Sequence, residues 1–324
     1  YRIAIIVFAI AGMLLSTACT EETGETDNRA KEQRKLDIYM AYNYPDATPL
    51  ASGLYYIEES AGVGESPDTN DWVLVNHVCY RLPDDIVYES YIENVAEDNN
   101  LDPSKTALYG AYKMQNGTRN AGLTEGLSLM KEGGEATLAF HSDLGYGSSG
   151  NGTVGQYTSL KYEIELLEVI PDIEAYELAK IAAYIDTVAV YDTIHDPETD
   201  AILYYIIDEA TDSALVGIDS TISVAYKGYL TDGRVFDESV DGTPLAFKVG
   251  DPESTIIKGW HLGLEKFKEG EKGRLVIPWQ LAYGEEETIS GSLRTMPPYE
   301  TLVFDVEILS VEAGGDDDDP GQEE

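Results

Sequence analysis

The chain has 324 residues, with 21 Lys plus Arg against 60 Asp plus Glu and a formal net charge of -39. That charge repels phosphate backbones and excludes nucleic acid as a partner class. The length suits two domains, each with its own core. Only two cysteines occur, Cys19 and Cys79, and the four histidines, His77, His141, His195 and His261, are scattered with no second ligand at metal spacing. Neither a disulfide framework, nor a metal site, nor any other cofactor is expected.

In chain order, Arg2 precedes an apolar run from Ile3 to Leu15, followed by Ser16-Thr17-Ala18-Cys19 and an acidic stretch. Such a run is too short to span a bilayer and fits the core of a cleaved signal. Residues 1–18 resemble a bacterial lipoprotein signal, in which the Cys19 thiol is acylated and becomes the new N-terminus. The expectation is a lipid anchor in the cell envelope, most readily at the outer membrane, without a spanning helix. Because the chain opens at Tyr1, the basic start of such a signal is expected upstream. Residues 19–49 read as a tether with a short helix around Lys31 to Tyr42.

In WVLVNHVCYRL, residues 72–82, strand alternation places Cys79 on the face opposite Tyr80, as a buried, unreactive thiol. Residues 123–147 align without gaps to 260–284 at an offset of 137, and they share Gly126/Gly263, Lys-Glu-Gly at 131–133 and 268–270, and Tyr146/Tyr283. Outside this block the order persists, with Val78-Cys79-Tyr80 set against Val224-Ala225-Tyr226 and Val87-Tyr88-Glu89 against Val235-Phe236-Asp237. One domain is therefore present twice, over residues 50–170 and 201–312. A helix from about Asp172, with Ile173, Tyr176, Leu178, Ile181, Ala182 and Ile185 at helical spacing, makes 171–200 a helical linker. Alternating strands around the short helical stretch Gly259 to Lys268 predict an α+β fold in each copy, a curved antiparallel β-sheet wrapped around a short α-helix. Residues 313–324, rich in Asp and Glu, read as a disordered acidic tail.

No Gly-x-Ser-x-Gly, His-Glu-x-x-His or Cys/His/Asn nucleophile set occurs, so chemistry that breaks covalent bonds has no visible machinery. Between Ile222 and Leu309 the chain instead contains ISVAYKGYLTDGRVFDES, TIIKGW, KEGEKGRLVIPWQLAYG and MPPYETLVFDVEIL. Together these resemble the FKBP family of peptidyl-prolyl cis-trans isomerases, whose proline pocket lies between the helix and the sheet. The resemblance makes Trp260 the pocket floor, and Tyr226, Phe236, Ile256 and Phe304 its walls. Ile257 matches the residue whose backbone N–H holds a ligand carbonyl, Tyr283 the phenol that bonds another, and Asp237 the carboxylate that accepts from Tyr226. Leu245 and Met296 are further substrate-side positions; Leu245 stands where the family usually has an aromatic residue, and Phe247 is assigned to the other face of that strand.

The first copy departs further: Leu123 replaces the Trp, Tyr88-Glu89 the Phe-Asp pair, and Arg119 and Asn120 the two isoleucines. A charged mouth removes the apolar surroundings that the family's chemistry uses, so this copy is expected to be degenerate. The whole resembles tandem-domain isomerase lipoproteins of Bacteroidota, and the implied partners are proline-containing envelope or secreted proteins. The other reading is a non-catalytic chaperone or assembly-factor lipoprotein that holds proline-containing segments.

Overall fold

The computed structural model describes residues 19–101, 108–188, 191–240, 243–286, 288–290 and 294–314. The expected signal (1–18) and the tail from 315 onward lie outside them. Helix α1 (Cys19–Asn43) leads into β1 (Tyr55–Ser60), β2 (Trp72–Arg81), β3 (Ile86–Ser90), α2 (Glu93–Asp98), β4 (Tyr112–Gln115), α3 (Ala121–Leu129), β5 (Gly134–Phe140) and β6 (Leu160–Ile170). Helix α4 (Ile173–Val188) then leads into β7 (Asp192–His195), β8 (Ile202–Glu209), β9 (Thr221–Leu230), β10 (Val235–Glu238), β11 (Leu245–Lys248), α5 (Lys258–Leu264), β12 (Lys272–Ile277), β13 (Thr288–Ser290), β14 (Arg294–Met296) and β15 (Leu302–Glu312).

The sequence repeat is a repeat of topology. The first sheet runs β1-β5-β6-β2-β3 with β4 on β2; the second runs β8-β12-β15-β9-β10 with β11 on β9, and β7 extends it beyond β8. Every described pairing is antiparallel, and each sheet curls over one short helix, α3 or α5, to enclose a separate core. This is the expected α+β class. Two shared glycines make it possible: a Cβ on Gly126 would lie 2.2 Å from a methyl of Leu138, and one on Gly263 would lie 2.8 Å from a methyl of Leu275. Glycine at these crossings lets each helix settle directly onto its strand.

The opposite face of each sheet carries a longer helix. Leu36, Tyr39 and Met40 of α1 pack on Tyr55, Leu82 and Ala139, and Ile181 of α4 packs on Val276 and Val303. Glu32 pins α1, because its buried carboxylate accepts from the Ser142 N–H (2.6 Å), the Ser142 hydroxyl (2.6 Å) and the Ser159 hydroxyl (3.0 Å).

Three sequence expectations change. Helix α1 starts at Cys19 rather than near Lys31; its early turns are exposed and held by pairs such as Arg29–Glu25 and Lys31–Asp27, so apolar periodicity marks only the docked half. The linker expected to be helical through residue 200 contains β7, and Leu178 faces solvent. The cross-repeat register also moves. Cα partners His77↔Ile164 and Tyr226↔Val306 occupy the same place in the two sheets, as do Cys79↔Tyr162 and Gly228↔Phe304. His77, not Tyr80, is therefore the counterpart of Tyr226. Cys79 is fully buried as expected, and burial pushes its thiol pKa well up. No helix among the described residues is long and apolar enough to cross a membrane.

The two domains meet through buried charge. Strand alternation turns Tyr112 and Met114 into the first core and Lys113 away from it, toward α4 and the start of β15. There the Lys113 Nζ lies 2.7 Å from Glu177 and 3.0 Å from Glu300, with these three residues 2%, 0% and 6% exposed. Lys180 adds a contact to Glu177 at 3.0 Å, and the Thr301 hydroxyl donates to the same carboxylate at 3.3 Å. A second tie comes from the Arg234 guanidinium, which donates to the carbonyls of Leu108 (3.4 Å) and Ala111 (3.3 Å), while Leu108 itself sits in the second core.

Removing one partner of a buried ion pair leaves an uncompensated charge, so Lys113→Met is expected to cost about 3–5 kcal/mol. Adding Glu177→Gln should recover part of that loss. Chemical denaturation of the two variants beside the parent chain measures both effects.

Candidate active site

Trp260 lies in the first turn of α5 and is only 3% exposed. The edges and faces of three rings close around it: Tyr226 from β9 and Phe304 from β15, each with its centroid 5.1 Å away at 85°, and Phe247 from β11 at 5.8 Å. Phe236 meets Phe304 edge-on at 5.5 Å. Edge-to-face packing at these separations is the favoured arrangement of aromatic quadrupoles, so the cage is stiff as well as apolar.

Two backbone devices shape it. Along β9/β10, Val235 pairs with Tyr229 and Asp237 with Gly228, which leaves Phe236 as the extra residue of a β-bulge. The bulge lets Phe236 face the core while its neighbour Asp237 reaches Tyr226, whose hydroxyl donates to the carboxylate at 2.7 Å. Burial first, and then this bond, push the Tyr226 pKa up, so the phenol stays a neutral donor. Gly228 sits behind the bulge: a Cβ there would lie 2.7 Å from the Phe236 ring and 2.8 Å from the Phe304 ring. Only glycine allows both rings to approach.

The remaining sequence candidates gather at the same place. Ile257 is the N-cap of α5 and its carbonyl takes the Trp260 N–H at 3.0 Å; the N–H of a cap residue is one that the helix itself leaves unpaired. Ile256, Leu245 and Tyr283 are half-buried against the second core. Tyr283 follows the 3₁₀ turn Trp279–Leu281 and precedes Gly284, whose φ of +83° closes the turn. Met296 is fully buried in the core, so it backs the pocket rather than lining an open wall. Phe247 is a correction: β11 buries Leu245 and Phe247 together and exposes Ala246 and Lys248, because a residue two positions on returns to the same face. The aromatic area absent at Leu245 is thus restored by Phe247. Sequence reading also missed Gly228, although a lone glycine inside a strand pattern is a signal for close approach.

In the first domain the same backbone holds different chemistry. Tyr88 is the extra residue of an equivalent bulge, since Val87 pairs with Tyr80 and Glu89 with Cys79. Where Tyr226 meets Asp237, the His77 Nε2 meets Glu89 at 3.0 Å. Arg119, in the place of Ile256, also donates to Glu89, with its guanidinium 5.3 Å from the Tyr112 ring. Asn120, in the place of Ile257, caps α3 by accepting from the Leu123 N–H (2.9 Å) and donates to the Tyr162 hydroxyl (2.9 Å), which also bonds Tyr88 at 2.8 Å. Leu123 stands where the second domain has Trp260 and is buried.

The four histidines are not all isolated, as their spacing suggested: ligand atoms of His77, Cys79 and Glu89 come within 4.8 Å of one another. Arg119 already neutralises Glu89 and burial disfavours the Cys79 thiolate, so this trio is an ion-paired cluster that repels a further cation. Burial by itself would raise the Glu89 carboxyl; the His77 hydrogen bond and the Arg119 cation outweigh it and hold the pKa at about 2.

A sheet curled over one short helix thus sets a cluster of aromatic rings around the helix start, beside a Tyr–Asp pair. The sequence profile described as FKBP-type peptidyl-prolyl cis-trans isomerase matches residues 64–167 and 214–309, more than half of the chain. The chain belongs to this family of isomerases, and carries two copies of its domain. Over 110 residues it is 46% identical to peptidyl-prolyl cis-trans isomerase FKBP15-2 of Arabidopsis thaliana, covering 31% of this chain and 64% of that protein. It is 42% identical over 113 residues to FK506-binding protein 2 of Yarrowia lipolytica, covering 35% and 73%. A third relative, the FKBP-type peptidyl-prolyl cis-trans isomerase FkpA of Escherichia coli, is 42% identical over 110 residues, covering 34% of this chain and 37% of that protein. The match thus spans less than two thirds of FKBP15-2 and of FkpA.

The sign of the Glu89 effect follows from its pKa, lowered from an ordinary 4.5 to about 2. Its stabilisation is complete above about pH 4.5 and is lost as pH falls through 2. Glu89→Gln is expected to cost about 1–3 kcal/mol at neutral pH, with the gap to the parent chain closing between pH 4.5 and 2. Urea melts of both proteins across that interval check it.

Proposed function

We propose that the second domain catalyses cis-trans isomerisation of Xaa-Pro bonds and that the first keeps the fold without turnover. The observation that carries this reading is the contrast at matched positions. Tyr226, Ile256 and Trp260 form an apolar cluster in which the one polar contact is the Tyr226 phenol donating to Asp237, whereas at the matched positions of the first domain Arg119 is ion-paired with Glu89, which also bonds His77.

Rotation about a prolyl bond breaks no covalent bond; its barrier of about 18–20 kcal/mol is amide resonance. The planar amide carries the larger charge separation, so moving it from water to an apolar cage disfavours it relative to the twisted form. Trp260 supports the proline ring, Phe236, Phe247 and Phe304 exclude water, and the Ile257 N–H and Tyr283 phenol hold the flanking carbonyls. A gain of about 10⁴–10⁶ in rate needs only about 5–8 kcal/mol. An ion pair in the pocket would solvate the planar amide and cancel the effect.

The substrates are proline-containing segments of envelope or secreted proteins, and the chain reaches them from a lipid anchor at Cys19. Support for the address is the apolar run Ile3 to Leu15 with small residues before Cys19. Mass spectrometry of chain purified from membranes tests the anchor directly: an unmodified Cys19 retained behind residues 1–18 overturns it.

Peptide isomerisation by the full chain tests the chemistry. Asp237→Leu with Tyr283→Phe is expected to lower kcat/KM by more than about tenfold, at least ~1.4 kcal/mol of transition-state stabilisation, while Arg119→Ala leaves it within twofold. A loss confined to Arg119→Ala would move catalysis to the first domain. A parent chain that binds proline peptides without accelerating exchange would make the pocket a chaperone site.

A further inference from the structure

We infer that the first domain is a positioning element for the second, acting through Tyr299 on the turn that carries Tyr283; this rests on the assignment of catalysis to the second domain. Tyr299 touches both ends of that turn. Its N–H donates to the Gly284 carbonyl at 3.0 Å, and its ring packs on Trp279 at 4.7 Å. The Trp279 carbonyl in turn accepts from the N–H groups of Ala282 and Gly284, both at 3.0 Å. Tyr283 lies between those two donors, so the direction of its phenol follows from how Trp279 and Gly284 are held.

Part of what holds Tyr299 comes from the other domain. The Trp72 ring, at the start of β2, meets the Tyr299 ring edge-on at 5.4 Å. The Lys113 Nζ, fixed by Glu177 and Glu300, donates to the Tyr299 carbonyl at 3.3 Å. Tyr299 has φ +57°, a left-handed conformation that a bulky side chain keeps only where its surroundings over-determine it. Four contacts do so here, two from each domain. The Lys113 network and the Trp72 contact converge on one residue, and that residue is coupled by backbone to the pocket's phenol. The arrangement explains why a degenerate domain is docked through buried charge instead of hanging on a loose linker: a mobile partner could not transmit a fixed geometry to Tyr299.

Positioning differs from bulk stability in its coupling to Tyr283. Trp72→Leu keeps an apolar residue at a half-buried strand position and removes the ring that meets Tyr299; Trp72→Phe keeps a ring. In the full chain, Trp72→Leu is expected to lower kcat for a Xaa-Pro peptide by about fivefold with KM changed less than twofold, and Trp72→Phe to restore most of it. In a Tyr283→Phe background the same Trp72→Leu change should alter kcat by less than about 1.5-fold, because the group it positions is gone. Additive losses in the double variant, or an unchanged kcat in Trp72→Leu, would overturn the inference while leaving the isomerase reading intact. A parent chain without turnover would overturn both.

Discussion

The structure depends on the close crossing of one short helix over one curved sheet. Gly263 removes the side chain that would hold α5 off Leu275, and with α5 seated there Trp260 comes within 5.1 Å of both Tyr226 and Phe304. Any wider crossing would open a gap beneath Trp260 and admit water among the rings. The bulge at Phe236 and the bare backbone at Gly228 are the same constraint seen from the sheet side: they bring two phenyl rings inward without displacing Asp237.

The first domain separates scaffold from chemistry. It repeats the crossing through Gly126 and Leu138, the bulge at Tyr88, and the strand order. Its pocket positions nevertheless hold His77, Glu89 and Arg119, joined by the His77–Glu89 contact and the Arg119–Glu89 ion pair. The Glu89 carboxylate is met by both His77 and Arg119, so these side chains fill from within the domain the positions that Tyr226, Asp237 and Ile256 occupy in the second. Conversely, the second domain keeps its cage apolar, with one hydrogen bond at the rim, from the Tyr226 phenol to the Asp237 carboxylate.

Between the domains, buried charge does what a hydrophobic interface would do less specifically. Lys113 and Lys180 together balance two carboxylates, Glu177 on α4 and Glu300 just before β15, each of which both lysines meet. That balance defines a single docking geometry, since any rotation would strand at least one buried charge. The same lysine reaches the carbonyl of Tyr299, which ties the docking geometry to the loop beside the pocket.

Much was legible from the chain alone because it is written in local terms. The block at 123–147 and 260–284 announces two copies, since identical glycines and Lys-Glu-Gly turns solve the same backbone problem twice. Trp260, Tyr226, Phe236, Asp237 and Phe304 were singled out by the family resemblance, and the fold brings them into one cluster. Strand register was not legible: matching Tyr80 to Tyr226 satisfied the letters, and only the pairing of β2 with β6 put His77 there. Phe247 belonged with Leu245 by the period of a strand, yet its role became visible only when β11 laid it against Trp260. Lys113, Glu177, Glu300, Trp72 and Tyr299 carry no motif at all. They are separated by up to 228 positions in sequence, and what joins them is docking, a long-range event set by desolvated charge and ring contact that no local pattern encodes. The internal repeat and the strand periodicity determined the class of fold, and the family resemblance pointed to one group of side chains; tertiary structure decided which residues pack together there and what holds them still, because burial and register are properties of the folded whole.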